Sequence, residues 1–334
     1  MTGLQVVWFL LVGVLFCGYA VLDGFDLGAG LWHLRLSDEK QRRMLLGSIG
    51  PFWDGNEVWL LTAGGALFAA FPEAYATVFS AFYLALTLAV LCLVFRAVAL
   101  EFRHHVESVS WKRFWDFSFG VGSSLFALLL GVALGNVVRG LPLDGTHTYT
   151  GGFFDLLNPY SLAVGVYVLV TLWLHGAAWL AWRTEGELRE RARAWMAKTW
   201  WLAAALFVLL SVWSVAAGVA GNFRSTPVLW LIPVASAVSL GLARAFSVKG
   251  RDRAAFFSSA LSIVLQIGTA GASLFPNLVP ALGEAGHSLT ISEAASSQGT
   301  LTVMLVLAIL GMPIVIGYTV WSYRKLGGVA EHAY

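Results

Sequence analysis

Two carboxylates and an amide lie in the run Gly50-Pro51-Phe52-Trp53-Asp54-Gly55-Asn56-Glu57-Val58-Trp59-Leu60, at the start of a long apolar stretch. A carboxylate at the centre of a bilayer costs on the order of 3 kcal/mol on insertion scales, so one kept in a span faces protein or water and belongs to an ion or proton route. Asp23 and Asp26 lie toward the end of the preceding apolar run, and Arg96 and Glu101 near the end of the following one. With Asp54 and Glu57 they form a polar group at one end of three spans. A partly desolvated carboxyl group exchanges protons near neutral pH, and spaced carboxyls can pass one inward. The competing reading is structural: Asp54 pairs with Arg96 to lock two helices, and Asp23 and Asp26 sit in headgroup water.

These residues need spans to position them, and the composition supplies spans and little else. The 334 residues are 58% hydrophobic and 12% charged, with a mean hydropathy of +0.74, whereas soluble domains carry roughly 25% charged residues. Continuous Leu, Val, Ala and Phe runs of about 20 residues recur, each long enough to cross a hydrocarbon core of roughly 30 Å. They lack the alternating polarity of barrel strands, and helices are the remaining way to satisfy a backbone in lipid. The reading is an all-α, polytopic membrane bundle forming one domain over residues 1–334. About nine spans are expected, at residues 4–24, 49–71, 75–99, 116–138, 159–182, 200–221, 226–246, 254–275 and 299–322. The first is expected to be retained, because no basic leader or small-residue cleavage site precedes a mature domain.

Basic residues are sorted by loop. Arg35, Lys40, Arg42 and Arg43, then Arg103, Lys112 and Arg113, then Arg183 through Lys198, then Lys249, Arg251 and Arg253, and finally Arg324 and Lys325 fall at one end of the expected bundle. The opposite connections hold only Arg139 and Arg224. The positive-inside rule then places the C-terminus in the cytoplasm and the N-terminus outside. Nine tryptophans (Trp32, Trp53, Trp111, Trp115, Trp182, Trp195, Trp200, Trp201 and Trp321) fall near the cytoplasmic ends and read as interface anchors. Two outer connections, residues 139–158 and 276–298, are long enough to fold over the outer face. Gly24 with Gly28, and Gly131 with Gly135, have the spacing that lets helices approach closely. With no basic patch, nucleic acid is not an expected partner.

Ligands for a redox centre are scarce. His33, His104, His105, His147, His287 and His332 fall in loops or at helix ends, and only His175 lies well inside a span, with no evident partner for a six-coordinate haem. Such a histidine reads more readily as hydrogen-bonded packing. Cys17 and Cys92 both lie in spans and read as small hydrophobes. No nucleotide loop, haem-attachment motif or nucleophile triad is present.

The motifs Asp23-Gly24-Phe25-Asp26-Leu27-Gly28, residues 53–72 from Trp53-Asp54-Gly55-Asn56-Glu57 to Phe71-Pro72, Phe95-Arg96, Gly135-Asn136, Leu157-Asn158-Pro159, Thr184-Glu185-Gly186-Glu187-Leu188, Phe275-Pro276 and Ser288-Leu289-Thr290 together resemble subunit II of the cytochrome bd-type quinol oxidases. The resemblance runs from about residue 10 to about residue 325. It implies a nine-helix, haem-free subunit in a prokaryotic plasma membrane, paired with a similarly folded subunit I that holds two b-type haems and one d-type haem. The complex would oxidise quinol and reduce oxygen to water with cytoplasmic protons. The resemblance carries a proton route onto Asp23, Asp54 and Arg96, with Glu57 and Asp26 as further candidates, and makes Trp59 a candidate for guiding oxygen. Glu57 stands where a neutral amide also occurs in the family, which argues against an indispensable carrier. A structural quinone, bound membrane lipid and a small accessory subunit are compatible additions. The competing function is a proton-coupled secondary transporter, although the two related halves common in such proteins are not evident.

Overall fold

The computed structural model describes residues 1–283 and 285–328; His332 lies outside the described residues. The chain is built from helices α1 (Gly3–His33), α2 (Glu39–Ile49), α3 (Trp53–Ala70), α4 (Pro72–Ala81), α5 (Tyr83–Phe102), α6 (Val109–Arg139), α7 (Pro159–Arg183), α8 (Gly186–Ala216), α9 (Gly221–Ser225), α10 (Leu231–Val248) and α11 (Asp252–Leu274). A small hairpin, β1 (Asn277–Val279) with β2 (Leu289–Thr290), then leads through α12 (Ile291–Ala294) to α13 (Gln298–Lys325).

Eight helices among the described residues are long and apolar enough to cross a membrane: α1, α5, α6, α7, α8, α10 with the turn before it, α11 and α13. The difference from the nine expected spans is α3. At 18 residues it is about 27 Å long, but Asp54, Asn56 and Glu57 in its first turns lower its hydropathy. It still packs along α1. Several helices also run past the expected limits. α1 continues ten residues beyond Asp23, α6 starts at Val109, and α8 begins at Gly186, so charged segments that read as loops are helical. In α8 the extension carries the pair Arg191 Nη2 to Glu187 Oε1 at 2.9 Å, four residues apart, a spacing that supports an exposed helix. α2 is a separate amphipathic helix capped by Asp38, whose side chain accepts from the Lys40 amide.

Small residues hold the centre together. A Cβ on Gly28 would stand 2.1 Å from the Leu172 carbonyl oxygen, and one on Gly176 would stand 2.5 Å from the Gly28 carbonyl carbon. α1 and α7 therefore touch backbone to backbone. Gly131 and Gly135 do the same for α6 and α7, against Gly165 and Ser161. Asn136 and Asn158 join these two helices at one end: the Asn158 amide donates to Asn136 Oδ1 at 2.8 Å, while Asn158 Oδ1 caps α7 through the Ser161 amide.

The two long connections interlock at that end. Leu141 exchanges backbone hydrogen bonds with Pro280 and Leu282, and Ser296 bonds the Ala70 carbonyl beside the α3–α4 turn. At the opposite, arginine-rich end the tryptophans divide. Trp32, Trp53 and Trp115 are buried, Trp32 stacking on Trp195 at 4.6 Å, whereas Trp201 and Trp321 are exposed. The anchor reading fails for the buried rings, because the helical extensions at this end enclose them.

Candidate functional site

The polar residues of α1, α3 and α5 converge inside the bundle. Asp23 is held on α1 one turn before the Gly28 contact, and Arg96 projects from α5; both side chains are 0% exposed. Arg96 Nη2 donates to Asp23 Oδ1 at 2.5 Å and Nη1 to Oδ2 at 3.1 Å, a two-pronged pair. Nη1 also donates to Glu57 Oε1 at 2.6 Å. Glu57 remains 22% exposed and forms the open side of the group. An isolated charge in such a place is strongly unfavourable, and a bidentate guanidinium is the form of partner that offsets it.

Asp26 lies three residues from Asp23 and is also fully buried. Its Oδ2 accepts from Asn56 Nδ2 at 2.8 Å, and Asn56 Oδ1 accepts from Tyr323 Oη at 2.8 Å. Asp26 Oδ1 has no hydrogen-bond partner. Three elements distant in sequence, α1, α3 and α13, thus meet at Asn56. The sequence reading placed neither Asn56 nor Tyr323 in the site. The one available signal was the amide itself, a polar group in the second motif that needed a buried partner.

The competing structural reading is corrected at two points. Asp23 and Asp26 do not lie at a helix end in headgroup water; α1 continues to His33, and both are buried ten and seven residues before its last residue. Asp54 does not pair with Arg96, whose guanidinium is taken by Asp23 and Glu57. Because Pro51 and Phe52 form a turn and α3 starts at Trp53, rather than at residue 49 as the expected span did, Asp54 occupies the first helical turn and is exposed. Trp59 packs against α1: a Cβ on Gly18 would come within 2.4 Å of its ring.

A second ionic cluster closes the arginine-rich end. Asp116 of α6 accepts from His33 Nε2 at 2.5 Å, Arg42 Nη1 at 2.8 Å and Arg103 Nε at 2.5 Å. Arg103 also holds Glu39 through Nη1 and Nη2. That hydrogen bonding, with the positive charge behind it, keeps the Glu39 carboxyl below the usual carboxylate range. The sequence reading missed this cluster, since Arg42 and Arg103 counted there only as topology signals.

The histidine inside the bundle is fully engaged. His175 Nδ1 bonds Ser259 Oγ at 2.7 Å and Nε2 bonds the Val21 carbonyl at 3.0 Å, with the ring stacked on Phe256. Neither nitrogen is free to ligate iron. Among the described residues no group of three or more His, Cys, Asp or Glu side chains is arranged to hold a metal ion.

The comparisons with known proteins agree with one another. The family model for cytochrome bd terminal oxidase subunit II matches residues 4–326. Over 361 residues the chain is 39% identical to cytochrome bd-I ubiquinol oxidase subunit 2 of Escherichia coli (strain K12), spanning 97% of this chain and 94% of that protein. It is 36% identical over 327 residues to cytochrome bd ubiquinol oxidase subunit 2 of Bacillus subtilis (strain 168), spanning 97% and 96%. A chain in the structure of bd oxidase from Geobacillus thermodenitrificans shares the fold, with a TM-score of 0.77, 18% identity and coverage of 97% of this chain and 98% of that one. On this agreement between motif, fold and relatives, the chain belongs to the cytochrome bd terminal oxidase subunit II family.

Proposed function

We propose that this chain is the haem-free scaffold of a quinol-oxidising bd complex and gives protons access from the cytoplasm to the oxygen chemistry of subunit I. Family membership makes it a multi-pass plasma-membrane protein and one subunit of an oxidoreductase. In this reading the chain is one membrane domain with its arginine-rich end in the cytoplasm, as the positive-inside rule favours. Two b-type haems and one d-type haem in subunit I supply electron transfer and oxygen reduction. The haem-free reading is supported by His175, whose two ring nitrogens are both hydrogen-bonded.

The observation that carries the proposal is the imbalance around Arg96. Asp23 and Glu57 share one guanidinium, while Asp26, buried three residues from Asp23, has no cation bonded to it and its Oδ1 has no hydrogen-bond partner. One cation cannot neutralise three carboxylates in a poorly hydrated interior, so charge balance leaves room for protons on the acids. Asp54 at the exposed start of α3 collects the proton, and Glu57, one turn on, takes it from the surface to the Arg96 group. Asp23 and Asp26, three residues apart on α1, carry it inward. Arg96 is a positioning residue, holding the carboxyl groups in place. Trp59, packed on Gly18, borders an apolar passage for oxygen.

The relatives named as ubiquinol oxidase subunits support quinol as the substrate of the complex. A structural quinone and a small accessory subunit are compatible with the reading but have no residue here that selects them. The proton-coupled transporter has no observation in its favour once the family is known.

Asp26→Asn tests the route with little change of shape, because an asparagine oxygen can still accept from Asn56. In a purified complex with normal haem content, quinol-driven oxygen consumption is expected to fall about tenfold, corresponding to a barrier raised by about 1.4 kcal/mol. Unchanged turnover with normal haem content would remove Asp26 from the route.

A further inference from the structure

Away from the buried network, a cavity of about 510 Å³ opens at the arginine-rich end between α7, the start of α8 and the turn from α10 into α11. Trp182, Arg189, Arg251, Asp252, Arg253 and Phe257 line it. Its one acid is already neutralised. Asp252 is buried, and its oxygens accept from Arg189 Nε and Nη2 and from Arg193 Nε and Nη2 at 2.6–3.0 Å. Arg193 also donates to Glu190 Oε1 at 2.8 Å, so these arginines are matched by two acids and the positive charge at the cavity is that of Arg251 and Arg253.

Arg251 and Arg253 are both exposed at the cavity. The Arg253 guanidinium stands 5.8 Å from the ring centroids of both Trp182 and Phe257, which fix it from below. Phe257 is 51% exposed and lies one turn into α11, a helix long and apolar enough to cross a membrane. The cavity thus has cations at the level of the interface and aromatic surface immediately beneath them. A guanidinium fork binds phosphate oxygens well, and basic pockets between spans at a membrane surface recognise anionic lipid headgroups.

We infer that this cavity binds an anionic phospholipid, with the headgroup phosphate held by Arg251 and Arg253 and an acyl chain laid over Phe257 and Trp182. Free phosphate shares the headgroup chemistry but has no use for the aromatic floor, and that difference separates the two sources. The site lies outside the Arg96 network, so its test does not depend on proton transfer.

The test uses the purified two-subunit oxidase, delipidated and placed in phosphatidylcholine nanodiscs, with retained phosphatidylglycerol counted by native mass spectrometry during titration. Wild type is expected to retain one more tightly held phosphatidylglycerol than the Arg251→Gln/Arg253→Gln variant. The variant should bind that lipid about 25-fold more weakly, since each interfacial arginine contributes about fivefold. Phe257→Ala should weaken the lipid further than it weakens inorganic phosphate. Arg113→Gln, an exposed cation elsewhere at the same end, should change nothing. Haem absorption reports assembly; should the double variant not assemble, Arg253→Gln alone reads the same difference at about fivefold. Equal retention by wild type and variant, an equal loss in Arg113→Gln, or displacement of phosphatidylglycerol by inorganic phosphate alone would each overturn the lipid site.

Discussion

The two buried ionic clusters of the bundle use similar residues to opposite ends. Around Asp116, one buried carboxylate accepts from His33, Arg42 and Arg103, and the remaining Arg103 donors hold Glu39. Cations match or outnumber acids, and the cluster ties α1, α2, α5 and α6 together. Around Arg96, Asp23 and Glu57 share one cation, and Asp26 beside them has no bonded cation and one unpartnered carboxyl oxygen. Carboxylates matched by cations are held ionised, whereas an acid with no bonded cation, as Asp26 is, can accept a proton without first losing a salt bridge. The first locks helices, and the second has the charge imbalance on which the proposed proton route rests.

The sharpest way to break this comparison is to remove its cation. Arg96→Gln leaves Asp23 and Glu57 facing each other without compensation, and a loss of about 3–5 kcal/mol is expected for a buried pair broken on one side. Assembly with subunit I, read as haem content of the purified complex, should collapse. Asp116→Asn should cost about 3 kcal/mol by the same reasoning, seen as a lowered midpoint of thermal unfolding. The complex that does assemble should keep its wild-type turnover per haem. A turnover defect there would erase the distinction between the clusters.

Glu57→Gln is expected to do less, because Glu57 is partly exposed and a glutamine oxygen can still accept from Arg96. Severalfold slower oxygen consumption with normal haem content is the expected result. Turnover as low as in Asp26→Asn would make Glu57 as indispensable as the buried acids. The smallest effect concerns pH. Glu39 is held below the usual carboxylate range by Arg103, so its contribution is fully present above its unfolded value of about 4.3 and is lost as pH falls through the lower folded value. Thermal unfolding from pH 7 down to 3 should show a slope in that acidic window that flattens in Glu39→Gln.

Much of the fold was legible because lipid restricts what a chain can do: long apolar runs gave the spans, and the Gly24–Gly28 and Gly131–Gly135 spacings marked the close contacts later found at Leu172, Gly165 and Ser161. The helical extensions were hidden, since segments such as residues 186–199 are charged enough to read as loops even though Glu187 and Arg191 carry helix-supporting spacing. The site was legible as a set of residue types and not as a set of partners. Asp23 and Arg96 stand 73 positions apart, and nothing local says that Arg96 chooses Asp23 over Asp54. Tyr323 was hidden for a related reason. A phenol in the last turns of a final span resembles an interface aromatic until packing brings it to Asn56.

Proton uptake itself tests the central claim most directly. Oxygen is mixed with the fully reduced complex in a weakly buffered indicator solution, and proton uptake is followed beside haem oxidation for wild type and Asp26→Asn. Wild-type uptake should keep pace with haem oxidation, while in Asp26→Asn it should slow by about tenfold. Uptake at the wild-type rate in a fully assembled Asp26→Asn complex would contradict a route through the acids around Arg96.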